Sequence, residues 1–370
     1  MIYLDNGATS YPKPASVIRA VQKAMAAGGS SGRGGYGAAM GAARALYDCR
    51  SAAGELFHTR PEQVVFTMNG THGLNIAIRS LFRPGSRVVV SGFEHNAVMR
   101  PLYALDANIT VAGRKLFDPD DTLAAMEQAL RRGADGLVVT HVSNVFGYIL
   151  PVEQIGGLCR KYGTPWILDA AQSAGTLSVD MEALGADFIA MPGHKGLLGP
   201  QGTGLLLCKE NAQPLLFGGT GNDSISHTMP DALPERLEAG TQNTPGIAGL
   251  AAGIRCVQTI GTGNLLRREQ NLAKQCAAEL ETLGFRVFSG KHQAGTLSFL
   301  GEEDSEELAE TLANRGIALR AGLHCAPLAH ESAGTLETGT LRLSFGHQNT
   351  REDVRGLIAA LRERYPKSCR

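Results

Sequence analysis

The chain has 370 residues, 43% hydrophobic and 19% charged, with 35 basic residues against 35 acidic ones. At roughly 100–200 residues per domain, that length holds two or three domains with ample core. The absence of net charge argues against a bulk field drawing the chain to nucleic acid or to an anionic membrane. No run approaches the ~18 apolar residues of a membrane span. The opening MIYLDNGATS lacks a basic stretch followed by an apolar core, so the expected location is the cytoplasm. Cysteines at 49, 159, 208, 256, 276, 325 and 369 form no CxxC pair and are odd in number, which argues against a disulfide framework and a structural zinc site; no metal is expected. Most are expected as reduced thiols in helices.

In chain order, strand patterns fall at Gln63–Thr67, Arg87–Ser91, Gly136–Val142, Pro165–Asp169, Asp187–Met191 and Gly204–Cys208. Helical spacing separates them at Leu74–Leu81, Thr122–Arg131, Glu153–Tyr162 and Met181–Leu184. The alternation predicts an α/β chain with a mainly parallel sheet and a ligand site at the carboxyl ends of its strands. Beyond about residue 260 the pattern changes to a long helix Leu265–Leu283, a strand Thr296–Leu300, a helix Ser305–Arg315, the segment Ala318–Pro327, a strand Thr340–Phe345 and a helix Arg351–Arg364. Thr350 suits the N-cap of that last helix, with Asp353 in the capping-box position. We expect a large domain over 15–260 and a smaller C-terminal α/β domain over 261–370, joined by residues 1–14.

Four segments carry candidate chemistry. Thr67-Met68-Asn69-Gly70-Thr71-His72 leads from a strand into an apolar helix, whose free N–H groups and dipole make a phosphate seat. Helix capping alone also accounts for a Thr there. In Trp166-Ile167-Leu168-Asp169-Ala170-Ala171-Gln172, a carboxylate closing an apolar strand can pair with a protonated pyridine nitrogen and keep such a ring an electron sink. A capping Asp is an equally good reading of that residue alone. In Pro192-Gly193-His194-Lys195-Gly196, a lysine sits in a glycine-rich loop beyond an apolar strand. A Schiff-base lysine needs a lowered pKa and freedom to swing, which burial and flanking glycines would provide. Asp169 and Lys195 close adjacent expected strands, on one edge of the sheet. Finally, Arg320-Ala321-Gly322-Leu323-His324-Cys325-Ala326-Pro327 is followed by Arg342 on a strand. Arginine suits a bidentate grip on an α-carboxylate, and Arg320 joins Arg342 as a candidate substrate-binding residue. Cys325, outside any helical pattern and beside His324, is the cysteine expected to be exposed and reactive, although small buried thiols are commoner.

Taken together, YLDNGATS, the DxAQ motif at Asp169–Gln172, the GHK motif at Gly193–Lys195 and the HCA motif at His324–Ala326 resemble the cysteine desulfurases of the class V aminotransferase fold, in the SufS/CsdA branch that includes selenocysteine lyase. The resemblance spans nearly the whole chain. It implies a fold-type I enzyme dependent on pyridoxal 5′-phosphate, with Lys195 bound to the cofactor, Asp169 at its ring nitrogen and Gln172 at its phenolic oxygen. It further implies that His95 stacks on the ring, that Thr71, His194 and the His72 backbone meet the phosphate, that Asn144 meets substrate or ring oxygen, and that Arg342 holds the substrate carboxylate. Thr241 would reach the phosphate of a neighbouring subunit, hence a homodimer with shared active sites. Three features depart from the family: Pro192 stands where a hydroxyl residue is usual, Tyr36 in Arg33-Gly34-Gly35-Tyr36 stands where His is common, and the 17 positions from Cys325 to Arg342 are close to the short-loop branch. Such loops often depend on a sulfur-acceptor partner.

The expected reaction converts L-cysteine to L-alanine with a persulfide left on Cys325. The alternative is another pyridoxal enzyme of the same fold, a selenocysteine or carbon–sulfur lyase, an aminotransferase or an epimerase, in which Cys325 is incidental.

Overall fold

The computed structural model describes residues 1–31, 34–209, 211–221 and 225–365; Arg33 and Cys369 lie outside the described residues. The strands in chain order are β1 (Ile2–Tyr3), β2 (Val64–Thr67), β3 (Arg87–Ser91), β4 (Asn108–Ala112), β5 (Gly136–Thr140) and β6 (Trp166–Asp169). There follow β7 (Phe188–Pro192), β8 (Gly204–Cys208), β9 (Arg286–Phe288), β10 (Thr296–Leu300), β11 (Ile317–Ala318) and β12 (Leu341–Ser344).

A seven-stranded sheet has the order β2-β8-β7-β6-β5-β3-β4. From β4 through β7 every pairing is parallel. β8 runs against both of its neighbours, so β2 and β7 point the same way. The expected mainly parallel sheet is therefore present. The chain steps outward from β3 to β4, then returns past β3 to lay down β5. That reversal is the switch point where strand ends diverge and leave a crevice.

Runs such as Val88-Val89-Val90 and Ile167-Leu168 are buried on both faces, as a helix-covered parallel sheet requires. Alternate residues serve two cores, because strand side chains point to opposite faces. Val89, Leu137, Val139, Leu168 and Ile189 face one core, closed by Phe57, Ile155 and Ile254 from three helices. Val88, Val90, Val138, Ile167 and Ala190 face the other, closed by Leu74, Ile78, Val98 and Leu102. Each fully buried Leu or Ile contributes roughly 1.5–3 kcal/mol. A separate core packs β10 and β12 against the helices Thr262–Thr282 and Arg351–Arg364, and Leu4 near the N-terminus belongs to it. β1 pairs in parallel with β11, Ile2 opposite Ile317.

Several elements are not evident in the sequence pattern. The helix Gly37–Phe57 is rich in Ala and Gly, Asn96–Ala104 contains Pro101, and β4 is a half-exposed edge strand. The strand expected over Gly136–Val142 stops at Thr140, whose hydroxyl donates to the Val142 carbonyl at 3.1 Å as the chain turns away. At Asn349–Asp353 the expected cap is present, with Asp353 Oδ2 accepting the Thr350 N–H at 2.9 Å.

Candidate active site

Parallel strands deliver their last residues to one edge, and the candidate groups follow from that. Thr71 lies beyond β2, His95 beyond β3, Asn144 beyond β5, Asp169 closes β6, and His194 and Lys195 follow β7. All six line one cavity of about 100 Å³, together with Gln172, Thr140 and Pro192. Two of its buried polar atoms, His194 Nδ1 and Asn144 Oδ1, have no hydrogen-bond partner.

The helix that begins at Gly70 is capped by Asn69, whose Oδ1 accepts the His72 N–H at 2.9 Å. The cap is therefore Asn69, not Thr71, and the His72 N–H is already committed. His95 caps the helix Asn96–Ala104, its Nδ1 accepting the Ala97 N–H at 2.9 Å. Nδ1 thus has no proton, and the neutral ring carries its hydrogen on Nε2. Burial pushes the His95 pKa down to about 4, helped by the charges of Lys195, Arg342 and Arg100. His194 falls to about 4 for the same first reason, with Lys195 and Lys13 adding to it.

Asp169 and Lys195 oppose one another electrostatically. Desolvation pulls the Lys195 amine down to about 8, and the Asp169 charge holds it from falling further. Asp169 is itself raised by burial, with the Ala171 N–H at 2.9 Å and the Lys195 charge acting against that rise. The amine is consequently a base available near neutral pH. The glycines around it do not loosen the backbone. A Cβ on Gly196 would strike the Ala174 carbonyl and one on Gly193 the Thr203 hydroxyl, so glycine here permits close packing.

Arg342 is buried, its side chain 3% exposed. It donates to Asp5 Oδ1 at 2.7 Å and to the Asn144 carbonyl at 3.0 Å, and its buried Nε has no partner. Arg320 grips the other Asp5 oxygen at 2.9 Å. Asp5 therefore bridges both arginines. No local sequence pattern marks this role of Asp5, because its partners lie more than 300 positions away. Glu94 is a second such residue: fully buried, it accepts the Thr140 N–H at 2.9 Å and the Ser91 hydroxyl, and burial raises its pKa to about 8.

Cys325 is exposed, whereas Cys49, Cys159 and Cys276 are buried in helices. Cys208 is also buried, but at the end of β8, not in a helix. His324 and Cys325 both adopt left-handed conformations, φ 49° and 57°, after Gly322 at φ 98°. Consecutive non-glycine residues there are costly and need support. It comes from the Asn96 N–H, which donates to the Cys325 carbonyl at 2.7 Å, and from Asn144 Nδ2, which donates to the His324 carbonyl at 2.8 Å. His324 does not supply positive charge, since burial takes its pKa to about 2.

Thr241 is not among the residues brought together around Lys195. It lines a separate open groove of about 1010 Å³ with Arg50, Tyr47 and Glu238. Among the described residues no cluster could hold a metal ion, and no helix is long and apolar enough to cross a membrane.

Residues 2–357 match the family model for class-V aminotransferases. The chain is 33% identical to a probable cysteine desulfurase of Methanothermobacter thermautotrophicus, covering 98% of this chain and 94% of that one. It is 32% identical to a cysteine desulfurase of Escherichia coli, covering 98% and 92%. Among solved structures it is similar to a cysteine desulfurase from Thermococcus onnurineus, with TM-score 0.90, 31% identity and coverage of 98% and 94%. The Escherichia coli cysteine desulfurase CsdA superposes with TM-score 0.86 at 28% identity, with the same coverages.

Proposed function

We propose that this chain, which belongs to the class-V aminotransferase family, is a cysteine desulfurase that converts L-cysteine to L-alanine and leaves the sulfur on Cys325. The observation that carries this reading is the exposed Cys325 thiol on a turn whose backbone is held by Asn144, a residue that also lines the Lys195 cavity.

The residues around Lys195 fit pyridoxal 5′-phosphate. A buried amine with lowered pKa, a buried carboxylate and unpartnered polar atoms on His194 and Asn144 border one cavity. Lys195 would hold the cofactor, Asp169 its ring nitrogen, Gln172 its phenolic oxygen, His95 its ring face, and Thr71 and His194 its phosphate, whereas the His72 N–H is spent on Asn69. Gln172 keeps one amide hydrogen for that purpose, because the other goes to the Gly7 carbonyl at 3.0 Å. When bound, the cofactor supplies an electron sink for charge developing at the substrate α-carbon.

The protein's own groups then divide the work. Arg342, with Asn144 and Arg320, orients the substrate carboxylate. Lys195 removes the α-proton with an amine that is partly unprotonated near neutral pH. Cys325 Sγ attacks the substrate sulfur: an S–S bond forms, the C–S bond breaks, and Cβ takes up a proton as alanine departs. Cysteine plus one protein thiol becomes alanine plus one persulfide, balanced without an outside reductant. A sulfur-acceptor protein would then clear Cys325.

The homodimer belongs to the same proposal. Met40 and Tyr47, both highly exposed, line the Thr241 groove, which supports its burial against a second copy. The division into domains over 15–260 and 261–370 with 1–14 is supported by the separate core around β10 and β12, although Phe288, Ala326 and Ala329 pack into the core of the large domain. The test of function is alanine production from L-cysteine by the wild-type holoenzyme and by Cys325→Ala. A loss of about a hundredfold or more is expected on removing a nucleophile, and unchanged turnover would remove Cys325 from the reaction.

A further inference from the structure

Lys195 and Gln172 also line a second, smaller cavity, of about 50 Å³, between the N-terminal loop, the helix Thr262–Thr282 and the segment after β12. Its walls carry Asn6 and Ser10 from the N-terminal loop, Glu269 from the helix, and His347. Glu269 and His347 are each 8% exposed, and neither takes part in the reaction described above. Glu269 is anomalous in its setting. It occupies the inward face of a helix that otherwise buries Leu265, Leu272, Ala273 and Cys276. Gly295 leaves it room, since a Cβ there would come within 2.9 Å of Glu269 Oε2.

His347 supplies the independent observation: both ring nitrogens are buried without a hydrogen-bond partner. A native imidazole does not forgo both bonds in a polar cavity, because each unmet buried group costs about 1–3 kcal/mol. One water needs roughly 10–15 Å³ of such space, so the cavity has room for about three to five.

We propose that this cavity holds a short chain of ordered water bound by Glu269 and His347, through which Lys195 exchanges its proton without opening the substrate face. The inference rests on the reading of Lys195 as the base. A proton leaving Lys195 Nζ passes to a water. That water's proton is taken by one oxygen of the neutral Glu269 carboxyl as the carboxyl's own O–H proton moves on to the next water and out to solvent. Glu269 thus ends neutral as it began, and His347 holds the waters in line. Each transfer breaks one N–H or O–H bond and forms another, with no change of oxidation state. The protonation states suit the task. Burial raises Glu269 to about 8 and lowers His347 to about 4, with Lys13 and Arg268 pressing the latter down, so both groups are neutral near pH 7 and each can donate and accept.

The test has two readouts. In a high-resolution crystal structure of the cofactor-free protein, ordered water should bond His347 and Glu269, and a dry cavity would overturn the proposal. In the holoenzyme, exchange of the L-alanine α-proton with deuterated solvent should fall by about tenfold in Glu269→Gln, with cofactor content unchanged. Gln matches the volume of the neutral acid but cannot relay a proton. His347→Leu gives the same reading should Glu269→Gln fail to fold. Exchange as fast as wild type in a folded variant would sink the relay. Failure of the wild type itself to exchange would instead count against Lys195 as the base, while the water density would still decide the relay.

Discussion

The loops carrying Lys195 and Cys325 both contain glycine and a histidine next to the reactive residue, yet they are built in opposite ways. Around Lys195 the glycines admit close backbone contacts, and the electrostatics are set by burial against Asp169. Around Cys325 the backbone is held in left-handed conformations by hydrogen bonds from Asn96 and Asn144, and the thiol is exposed. A group that must stay desolvated is set in a rigid floor, and a group that must hand its cargo onward is set on a propped, open turn.

Substitutions can separate the two halves. Lys195→Ala has the largest expected effect: alanine formation falls by at least about a thousandfold, and the protein loses its covalently held cofactor, seen as loss of visible absorption after gel filtration. Asp5→Asn comes next. It leaves the buried Arg342 without its anionic partner, which costs about 2 kcal/mol in denaturant unfolding and raises KM for L-cysteine more than it lowers kcat. Cofactor retained with KM unchanged would mean Asp5 does not position Arg342.

A pH measurement tests the Lys195 side alone. In the cofactor-free protein, labelling of Lys195 by an amine-reactive reagent should rise through about pH 8, where an ordinary lysine rises near 10.5. The Asp169 charge raises the lysine pKa, so Asp169→Asn should move this midpoint further down. A midpoint near 10 would contradict the desolvated setting. The smallest effect is expected on the Cys325 side. Gly322→Ala forces a Cβ onto a residue at φ 98°, costing about 1–2 kcal/mol, and should slow sulfur transfer without altering the visible spectrum of the bound cofactor.

What the sequence makes legible follows the same division. Asp169 closes one apolar strand and Lys195 follows shortly after the next, and the pairing of those strands is a near-neighbour regularity, so their placement on one sheet edge can be anticipated. Asp5 bridging Arg320 and Arg342 cannot be anticipated, because three residues from opposite ends of the chain carry no shared local signal. That His324, the neighbour of Cys325 in sequence, is neutral is likewise invisible locally, because its burial is set by the fold. Asn69 displaced Thr71 as the helix cap because both are competent capping residues and only backbone geometry chooses between them.

The most direct test of the account is peptide mass mapping of the wild-type holoenzyme after one turnover with L-cysteine. The account predicts one added sulfur atom on the peptide containing Cys325, in equal amount to the alanine released; alanine released with that peptide unmodified would contradict it.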